Sequence, residues 1–295
     1  MRFGISLPNY GRLDLHDALP RVARAAEAAG YASVWVSDHV LVPQRFGPVF
    51  GRTIEPMLAL GYLAGATTRV RLGTSIIILP QRDPILLAKQ AAGIDQLSSG
   101  RLDLGVGVGW MQAQFAYFRA DYRRRGRMAD EYIRVMRELW TDDPCEFHGE
   151  FINYDDAYLE PKPVQPGGPP IHVGGASPAA LRRVADLGDA WHASGLGVDE
   201  FAAKAAQLRE LPGGQGKPVS MRGYVAIGQA AERFRDDSDV LIGGPPAAFV
   251  EQFGRYAEAG LGEFVCSFAY ADIEDVLGQL DTMAAQVMPA FAWQG

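Results

Sequence analysis

The feature that most constrains the fold of this chain is the alternation, repeated eight times, of a short apolar segment with an amphipathic helical segment. In the first unit, residues 3–7 predict a strand, residues 17–29 predict a helix, and Gly30 predicts its end. Pro20 lies in the first helical turn, where proline is tolerated. Apolar segments without alternation, placed between helices, are typical of parallel strands that are buried on both faces.

The seven remaining units follow in the same order. They are 33–37 with 56–66, 70–79 with 84–97, 102–108 with an interrupted helical region 111–140, 171–173 with 178–187, 190–193 with 199–211, 219–227 with 247–259, and 264–268 with 273–288. Eight such units favour closure into a (β/α)8 barrel of the α/β class. An open doubly wound sheet is the alternative, although such a sheet more naturally stops after about five to seven strands. We expect a single domain over residues 1–295.

Composition and charge restrict the partners of the chain. Hydrophobic residues make up 48% and charged residues 21%, which is ordinary for a globular protein. The net charge of −7 repels nucleic acid and anionic lipid, so we expect neither as a partner. The sequence shows no signal peptide pattern and no apolar stretch of membrane-spanning length, and a cytoplasmic protein is expected. Cys145 and Cys266 lie far apart and predict neither a disulfide nor a zinc site.

Two connections exceed the usual loop length, residues 141–170 and 228–244. The first is a long insertion between the fourth and fifth units, with a possible hairpin around His148-Gly149. We interpret it as a lid that covers the barrel mouth and helps to select the substrate. The arginine-rich stretch from Arg119 to Arg127 is more typical of a solvated surface, and binding of an anionic ligand tail is the alternative.

Titratable side chains at strand ends are the candidates for chemistry, because catalytic groups of βα barrels lie there. Asp38 and His39 end the second strand and place an imidazole beside a carboxylate, which is typical of proton transfer. A histidine satisfied by its own loop is the alternative. His192 lies beside Trp191 and is as consistent with a packed core histidine. The chain contains no HxH, HExxH or GxSxG pattern and no lysine at a predicted strand end, so chemistry on a bound cofactor remains.

Small residues end three successive predicted strands, at Gly105–Gly109, Gly174–Ser177 and Ser194, and the strand before them passes through Gly73-Thr74-Ser75. Such residues let a flat or phosphorylated ligand approach the backbone closely. Ser177 precedes Pro178 at a predicted helix start, where backbone N–H groups attract a phosphate. The simpler interpretation is that these are tight connections and that Ser177 is a helix cap.

Several segments, in order along nearly the whole chain, resemble one known family. They are Ser37-Asp38-His39, residues 72–76 with Leu79-Pro80, residues 95–101, residues 104–110, Pro161-Lys162-Pro163 and Gly174-Gly175. The family is that of the bacterial luciferase-like flavin and deazaflavin barrels, and the resemblance is strongest to its coenzyme F420-dependent oxidoreductases. The resemblance implies a (β/α)8 barrel that is usually a homodimer and binds the cofactor ring over its mouth.

The same resemblance assigns roles to individual residues. It implies a cis peptide bond between Ser75 and Ile76 that supports the ring, with Asp38 and His39 along the reactive face as candidate catalytic residues. It implies that the phosphate end of the cofactor is held by Val108, Gly109, Gly175, Ala176, Ser177 and Ser194. No metal ligand is implied.

Two positions depart from the family's sugar-phosphate dehydrogenases. Trp110 stands where they carry a carboxylic acid, and Pro43 stands where they carry a tryptophan. Oxidation of a sugar phosphate is therefore not expected. The prediction is an F420-dependent oxidoreductase that transfers hydride between the deazaflavin and a small organic substrate. An FMN-dependent monooxygenase that uses molecular oxygen and a non-catalytic flavin-binding barrel are the alternatives.

Overall fold

The structure, a computed structural model, describes residues 1–291. Its strands are, in chain order, β1 (Arg2–Ser6), β2 (Ser33–Val36), β3 (Arg71–Thr74), β4 (Ile77–Ile78), β5 (Leu102–Gly107), β6 (Cys145–His148), β7 (Asn153–Ala157), β8 (Ile171–Gly174), β9 (Ala190–Ser194), β10 (Val219–Ile227), β11 (Ile242–Gly244) and β12 (Glu263–Phe268). Its helices are α1 (Leu15–Ala28), α2 (Gly47–Phe50), α3 (Pro56–Ala66), α4 (Pro84–Leu97), α5 (Gln112–Tyr117), α6 (Arg125–Thr141), α7 (Pro178–Leu187), α8 (Val198–Glu210), α9 (Gln229–Arg233), α10 (Pro246–Glu258) and α11 (Ile273–Gln286).

Parallel pairing closes the sheet into a barrel. The order of neighbours is β1, β2, β3, β5, β8, β9, β10 and β12, and β12 pairs with β1. The predicted (β/α)8 barrel is confirmed, and the open sheet is wrong because both edges are paired. The predicted single domain runs to residue 295, and residues 292–295 lie outside the described part of the chain. Within residues 1–291, none of the helices is long and apolar enough to span a membrane.

One predicted strand is interrupted, and one helical region is interrupted as predicted. The strand predicted over residues 70–79 divides into β3 and β4 at Ser75–Ile76, where the peptide bond is cis as expected. The helical region predicted over residues 111–140 divides into α5 and α6 at the arginine-rich stretch. The long connection 228–244 is not irregular throughout, because α9 and β11 lie within it and β11 pairs with β10.

The insertion forms the expected hairpin, which lies along the outside of α6. Strands β6 and β7 pair antiparallel, and the backbone N–H groups of residues 150, 151 and 152 all donate to the buried carboxylate of Glu131 at 2.8 Å. At the hairpin tip, Glu150 pairs with Arg124 and Arg127 near the start of α6. These pairs favour the surface interpretation of the arginine-rich stretch.

A different connection covers the barrel mouth. Residues 40–55 link β2 to α3 and contain a short 3-10 turn followed by α2. The buried Asn9 side chain donates to Ser37 O and Ile54 O and accepts from Ser37 N, which fastens this connection to the ends of the first two strands. Sequence analysis did not single out this segment, although it spans 16 residues between two predicted elements.

Polar groups fill the barrel interior below the mouth. Arg71 and Asp103 form an ion pair at 2.6 Å, and His172 Nε2 lies 3.5 Å from the same carboxylate. On the neighbouring strand β2, Trp35 Nε1 donates to Ser33 Oγ, which bonds to Glu263 of β12. The apolar core therefore lies mainly between the barrel and its surrounding helices, and the lumen contains charged and polar layers.

Candidate active site

A cavity of about 180 Å³ opens at the carboxyl ends of the strands. Five of the residues predicted to form the site line it, namely Asp38, His39, Ser75, Ile76 and Gly109. The other lining residues are Tyr10, Ser37, Phe50, Ile78, Trp110, Arg222 and Tyr224. None of them comes from residues 141–170, so the cavity lining gives no support to the lid role predicted for that segment. Glu131 instead holds the hairpin on the outer side of α6.

His39 is a half-buried imidazole that faces the cavity. Its ring packs on Phe50 of the mouth-covering connection with 4.3 Å between centroids, and its Nδ1 lies 3.4 Å from Gln114 Nε2. Burial, and next the positive charge of Arg222, lower its pKa to about 4. The sequence predicted an imidazole that titrates near pH 7, whereas this environment keeps His39 neutral there.

Asp38 is buried and its carboxylate is fully engaged in contacts with the cavity wall. Oδ2 accepts from Ile78 N at 3.0 Å, and Oδ1 pairs with Arg82 at 2.6 Å. Burial raises the pKa of Asp38, and the Arg82 guanidinium and the Ile78 N–H oppose that rise by stabilising the carboxylate. Through these contacts Asp38 holds the end of β4 and the Arg82 side chain in place in the cavity wall. His39 is the better placed of the two for proton transfer.

Ser75 connects the cavity wall to the polar barrel interior. Its Oγ lies 2.8 Å from His192 Nε2, and His192 Nδ1 lies 2.8 Å from Ser220 Oγ. The His192 ring stacks on Trp35 at 4.7 Å with an interplanar angle of 14°. Burial, and then the neighbouring His172 and Arg222, lower the pKa of His192 to about 3. Of the two interpretations of His192, a site histidine or a packed core histidine, these contacts favour the packed core histidine.

Arg222 and two tyrosines form a group that sequence analysis missed. Arg222 lies on β10 and donates to Tyr10 Oη at 3.0 Å and to Tyr224 Oη at 2.9 Å. Burial raises the pKa of Tyr224. The signal in the sequence was the alternation Ser220, Arg222, Tyr224 within an otherwise apolar strand, since alternate residues of a barrel strand point to one side.

The residues predicted to hold a phosphate follow neighbouring strands. Val106 of β5 pairs with Val173 of β8, so the same register places Val108 and Gly109 beside Gly175 at the carboxyl ends of the two strands. Gly109 and Gly175 have φ values of 76° and 102°, which favour glycine. Ser177 Oγ accepts from Ala180 N, so Ser177 does cap α7. Within residues 1–291, the N–H groups of residues 175–177 donate to no backbone carbonyl. Val108, Gly175, Ala176 and Ser177 do not line the 180 Å³ cavity.

Ser194, the remaining predicted residue, lies in a second cavity. This cavity has a volume of about 350 Å³ and adjoins the first, because Arg222 and Tyr224 line both. Asp239, from the connection before β11, also lines it. Ser194 is the register partner of Arg222 in the pairing of β9 with β10, and β9 also pairs with β8, which precedes Gly175.

Trp110 follows the fourth barrel strand and lines the cavity. Its side chain is 60% exposed, and Phe46 contacts it edge-on at 5.6 Å. Pro43 precedes the 3-10 turn of the same connection. A separate group of metal-ligand type, Glu146, His148 and Asp155, is exposed on the hairpin and does not line the cavity.

The barrel, with titratable and small residues gathered at the carboxyl ends of its strands, places the protein among the (β/α)8-barrel enzymes. A profile described as luciferase-like monooxygenase matches residues 1–285, and the chain belongs to that family of oxidoreductases. An FMNH2-dependent dimethylsulfone monooxygenase from Pseudomonas putida is 30% identical over 267 residues, 87% of this chain and 72% of that one. Family membership does not support the non-catalytic alternative.

Two solved structures show the same fold. Monooxygenase RslO1 from Streptomyces bottropensis superposes with a TM-score of 0.87 at 20% identity, covering 99% of this chain and 100% of that one. An F420-dependent secondary alcohol dehydrogenase in complex with an F420-acetone adduct superposes with a TM-score of 0.81 at 21% identity, with 98% of each chain covered.

Proposed function

We propose that the protein is a coenzyme F420-dependent oxidoreductase that transfers hydride between the deazaflavin and a small organic substrate. The observation that carries this proposal is the position of the His39 imidazole, which lines the cavity at the barrel mouth and packs on Phe50. A neutral imidazole accepts the proton that an alcohol-like substrate releases when it loses hydride. The fold shared with the F420-dependent secondary alcohol dehydrogenase supports the same assignment.

The residues present fit a flat ring with a phosphorylated tail. Gly109 lets the chain pack closely against the cavity wall, because a Cβ there would lie 2.7 Å from Ile78 Cγ2. Within residues 1–291, the backbone N–H groups of residues 175–177, just before α7, donate to no backbone carbonyl, and free N–H groups at a helix start suit a phosphate. We assign the ring to Ser75, Ile76 and Gly109 and the phosphate to Val108, Gly175, Ala176, Ser177 and Ser194. When bound, the deazaflavin supplies the hydride chemistry.

The chain's own residues then orient the substrate and move a proton. His39 faces the cavity and exchanges the proton, while Asp38 and Arg82 hold the backbone after β4 in place. Phe50 packs against the His39 ring with 4.3 Å between the ring centroids and covers part of it. Protonation of His39 below a pH of about 4 removes the base, so oxidation of the substrate should not lose rate through His39 between pH 7 and pH 5.

The test combines a cofactor titration with one substitution. Binding of F420 and of FMN is measured by absorbance and calorimetry on the purified protein, and F420 is expected to bind. His39→Ala should lower turnover by about 100- to 10,000-fold, the contribution of a positioned acid or base, and change the cofactor Kd by less than about threefold. His16→Ala, at an exposed position, is the control. Near-normal turnover in folded His39→Ala would disprove the catalytic role.

An FMN-dependent monooxygenase is the second candidate, and the Pseudomonas putida relative favours it. Under this assignment the same cavity holds the reduced flavin, and molecular oxygen is the co-substrate. Tight binding of FMN with no binding of F420, together with oxygen consumption in the presence of reduced FMN, would replace the first proposal with this one.

The protein is further proposed to form a homodimer through α3 and α4. Leu58 and Tyr62 on α3 are 70% and 53% exposed, and Leu86 on the adjacent α4 is 58% exposed. Helix α3 consists almost entirely of apolar and glycine residues on all its faces, which a solvated helix does not need. A second copy of the chain would bury this surface.

A further inference from the structure

Arg222 is a largely buried cation that points into the barrel mouth. Its guanidinium donates to Ser37 Oγ at 3.1 Å, Tyr10 Oη at 3.0 Å and Tyr224 Oη at 2.9 Å. All three acceptors are neutral hydroxyl groups. Within residues 1–291, no carboxylate lies within 4 Å of Arg222.

Other arginines with little exposed surface are compensated differently. Arg82 pairs with Asp38 and Glu55, and Arg183 pairs with Asp130. A buried charge is costly unless an opposite charge lies beside it. The unpaired charge of Arg222 is therefore maintained at a cost to stability, which is typical of groups that meet a charged ligand.

Arg222 can be reached from the cavities on both sides of it. It lines the 180 Å³ cavity together with His39 and the 350 Å³ cavity together with Asp239. Asp239 is the acidic residue of the second cavity, and it forms no ion pair with Arg222 within the described residues. A ligand group in either cavity can therefore contact the guanidinium, which forms no ion pair within the described residues.

The hydroxyl groups around Arg222 can also donate. Tyr10 and Tyr224 lie 2.9 Å apart and share one hydrogen bond, so one of their two protons remains available. Within residues 1–291, Ser37 Oγ accepts from Arg222 and its own proton has no acceptor. A guanidinium with two free hydroxyl donors provides charge-assisted hydrogen bonds to the oxygens of an anion.

We propose that Arg222, with the hydroxyl groups of Tyr10, Ser37 and Tyr224, binds a carboxylate or sulfonate group of the substrate. This inference rests on the proposed function and defines the substrate class of the same site, which is a small organic anion. His39 lines the same cavity as Arg222, so an anion held there places a neighbouring carbon of the substrate within the cavity that His39 faces.

The test measures binding of small probes without turnover. Methanesulfonate and acetate are titrated calorimetrically into the protein, with and without bound cofactor, and are compared with the neutral dimethyl sulfone and acetamide. The wild type should bind the anions in preference to the neutral compounds. Arg222→Met should weaken anion binding by at least about tenfold, whereas Arg222→Lys, which keeps the charge, should weaken it by less than about threefold.

Two control variants make the result specific. Arg233→Met removes an exposed arginine that pairs with Asp275 on the surface, and it should leave anion binding unchanged. Asp239→Asn removes the carboxylate of the second cavity and should leave anion binding unchanged or strengthen it. Circular dichroism and thermal melting establish that each variant is folded.

Equal anion binding by folded Arg222→Met and the wild type would overturn the proposal, and so would equal binding of anions and neutral compounds. A loss of cofactor affinity in Arg222→Met with unchanged anion binding would also overturn it, because Arg222 would then serve the cofactor. The proposed function fails separately. Binding of FMN and not F420 would disprove the cofactor assignment and leave the anion result standing.

Discussion

His192 links the stability of the protein to pH, because it is buried in the barrel with its pKa lowered to about 3. In the unfolded chain it takes up a proton near pH 6.5, whereas in the folded chain it stays neutral down to about pH 3. The unfolded state therefore binds more protons between these values. We expect the free energy of unfolding to fall with decreasing pH, with a His192 contribution of at most about 1.4 kcal/mol per pH unit.

Urea unfolding at several pH values between 7 and 4 measures this slope. His192→Gln, which cannot titrate, should show a shallower slope than the wild type. His16→Gln changes an exposed histidine and should keep the wild-type slope. Identical slopes for His192→Gln and the wild type would show that His192 is protonated alike in both states.

Sequence analysis identified the site residues that directly follow a predicted strand. It missed the residues that reach the site from distant parts of the sequence. Asp38, His39 and Gly109 could be placed because each follows a predicted strand, and barrel strands end at one rim. Arg222 is more than 180 residues from Ser37 and Tyr10, and no local pattern encodes that contact. Asp38 was located correctly, but its partner Arg82 lies 44 residues away, so its positioning contacts could not be predicted.

At the scale of elements, Glu131 is the residue that holds the hairpin β6–β7 to α6. Its carboxylate accepts three backbone N–H groups, and Glu131→Gln replaces one acceptor oxygen with an amide that cannot accept. An unsatisfied buried donor costs about 1–3 kcal/mol. We expect faster hydrogen exchange in residues 145–157, with cofactor binding and substrate preference unchanged.

The matched control is Glu146→Gln, which changes an exposed glutamate of the same hairpin. Hydrogen exchange in that variant should equal the wild type. An altered substrate preference in Glu131→Gln would support the lid role predicted for residues 141–170, because it would show that the hairpin acts on the mouth without lining the cavity.

Helix boundaries were predictable where proline and a polar cap coincide. Pro84 begins α4 and Pro178 begins α7. The side chains of Asp83 and Ser177 each accept a backbone N–H of the first helical turn, and both helix starts agree with the prediction. The mouth-covering connection 40–55 was not predicted, because the contact that fastens its end joins Ile54 O to Asn9, 45 residues away in the sequence. Short elements of this kind have no periodicity long enough to detect.

At the scale of the whole molecule, the exposed apolar surface of α3 predicts a dimer that charge should disrupt. The double variant Leu58→Glu, Tyr62→Glu places two carboxylates on that surface, where burial against a second copy would be costly. Light scattering should give twice 32.0 kDa for the wild type and 32.0 kDa for the variant. Tyr158→Glu, at a 71% exposed position outside α3 and α4, should keep the wild-type mass.

A monomeric wild type would contradict the dimer, and so would a double variant that keeps the wild-type mass. Each outcome leaves the cofactor assignment intact, because the cavity lining includes neither α3 nor α4. Folding of the double variant is checked by its circular dichroism spectrum.

The charged layers within the barrel respond to heat differently from its apolar surroundings. The hydration of ions such as Arg71 and Asp103 becomes less favourable as temperature rises, so the penalty for burying their 2.6 Å pair falls. The stabilisation from apolar burial reaches a plateau over the same range. As the temperature rises, the ion pair inside the barrel therefore contributes a growing share of the free energy that stabilises the closed barrel.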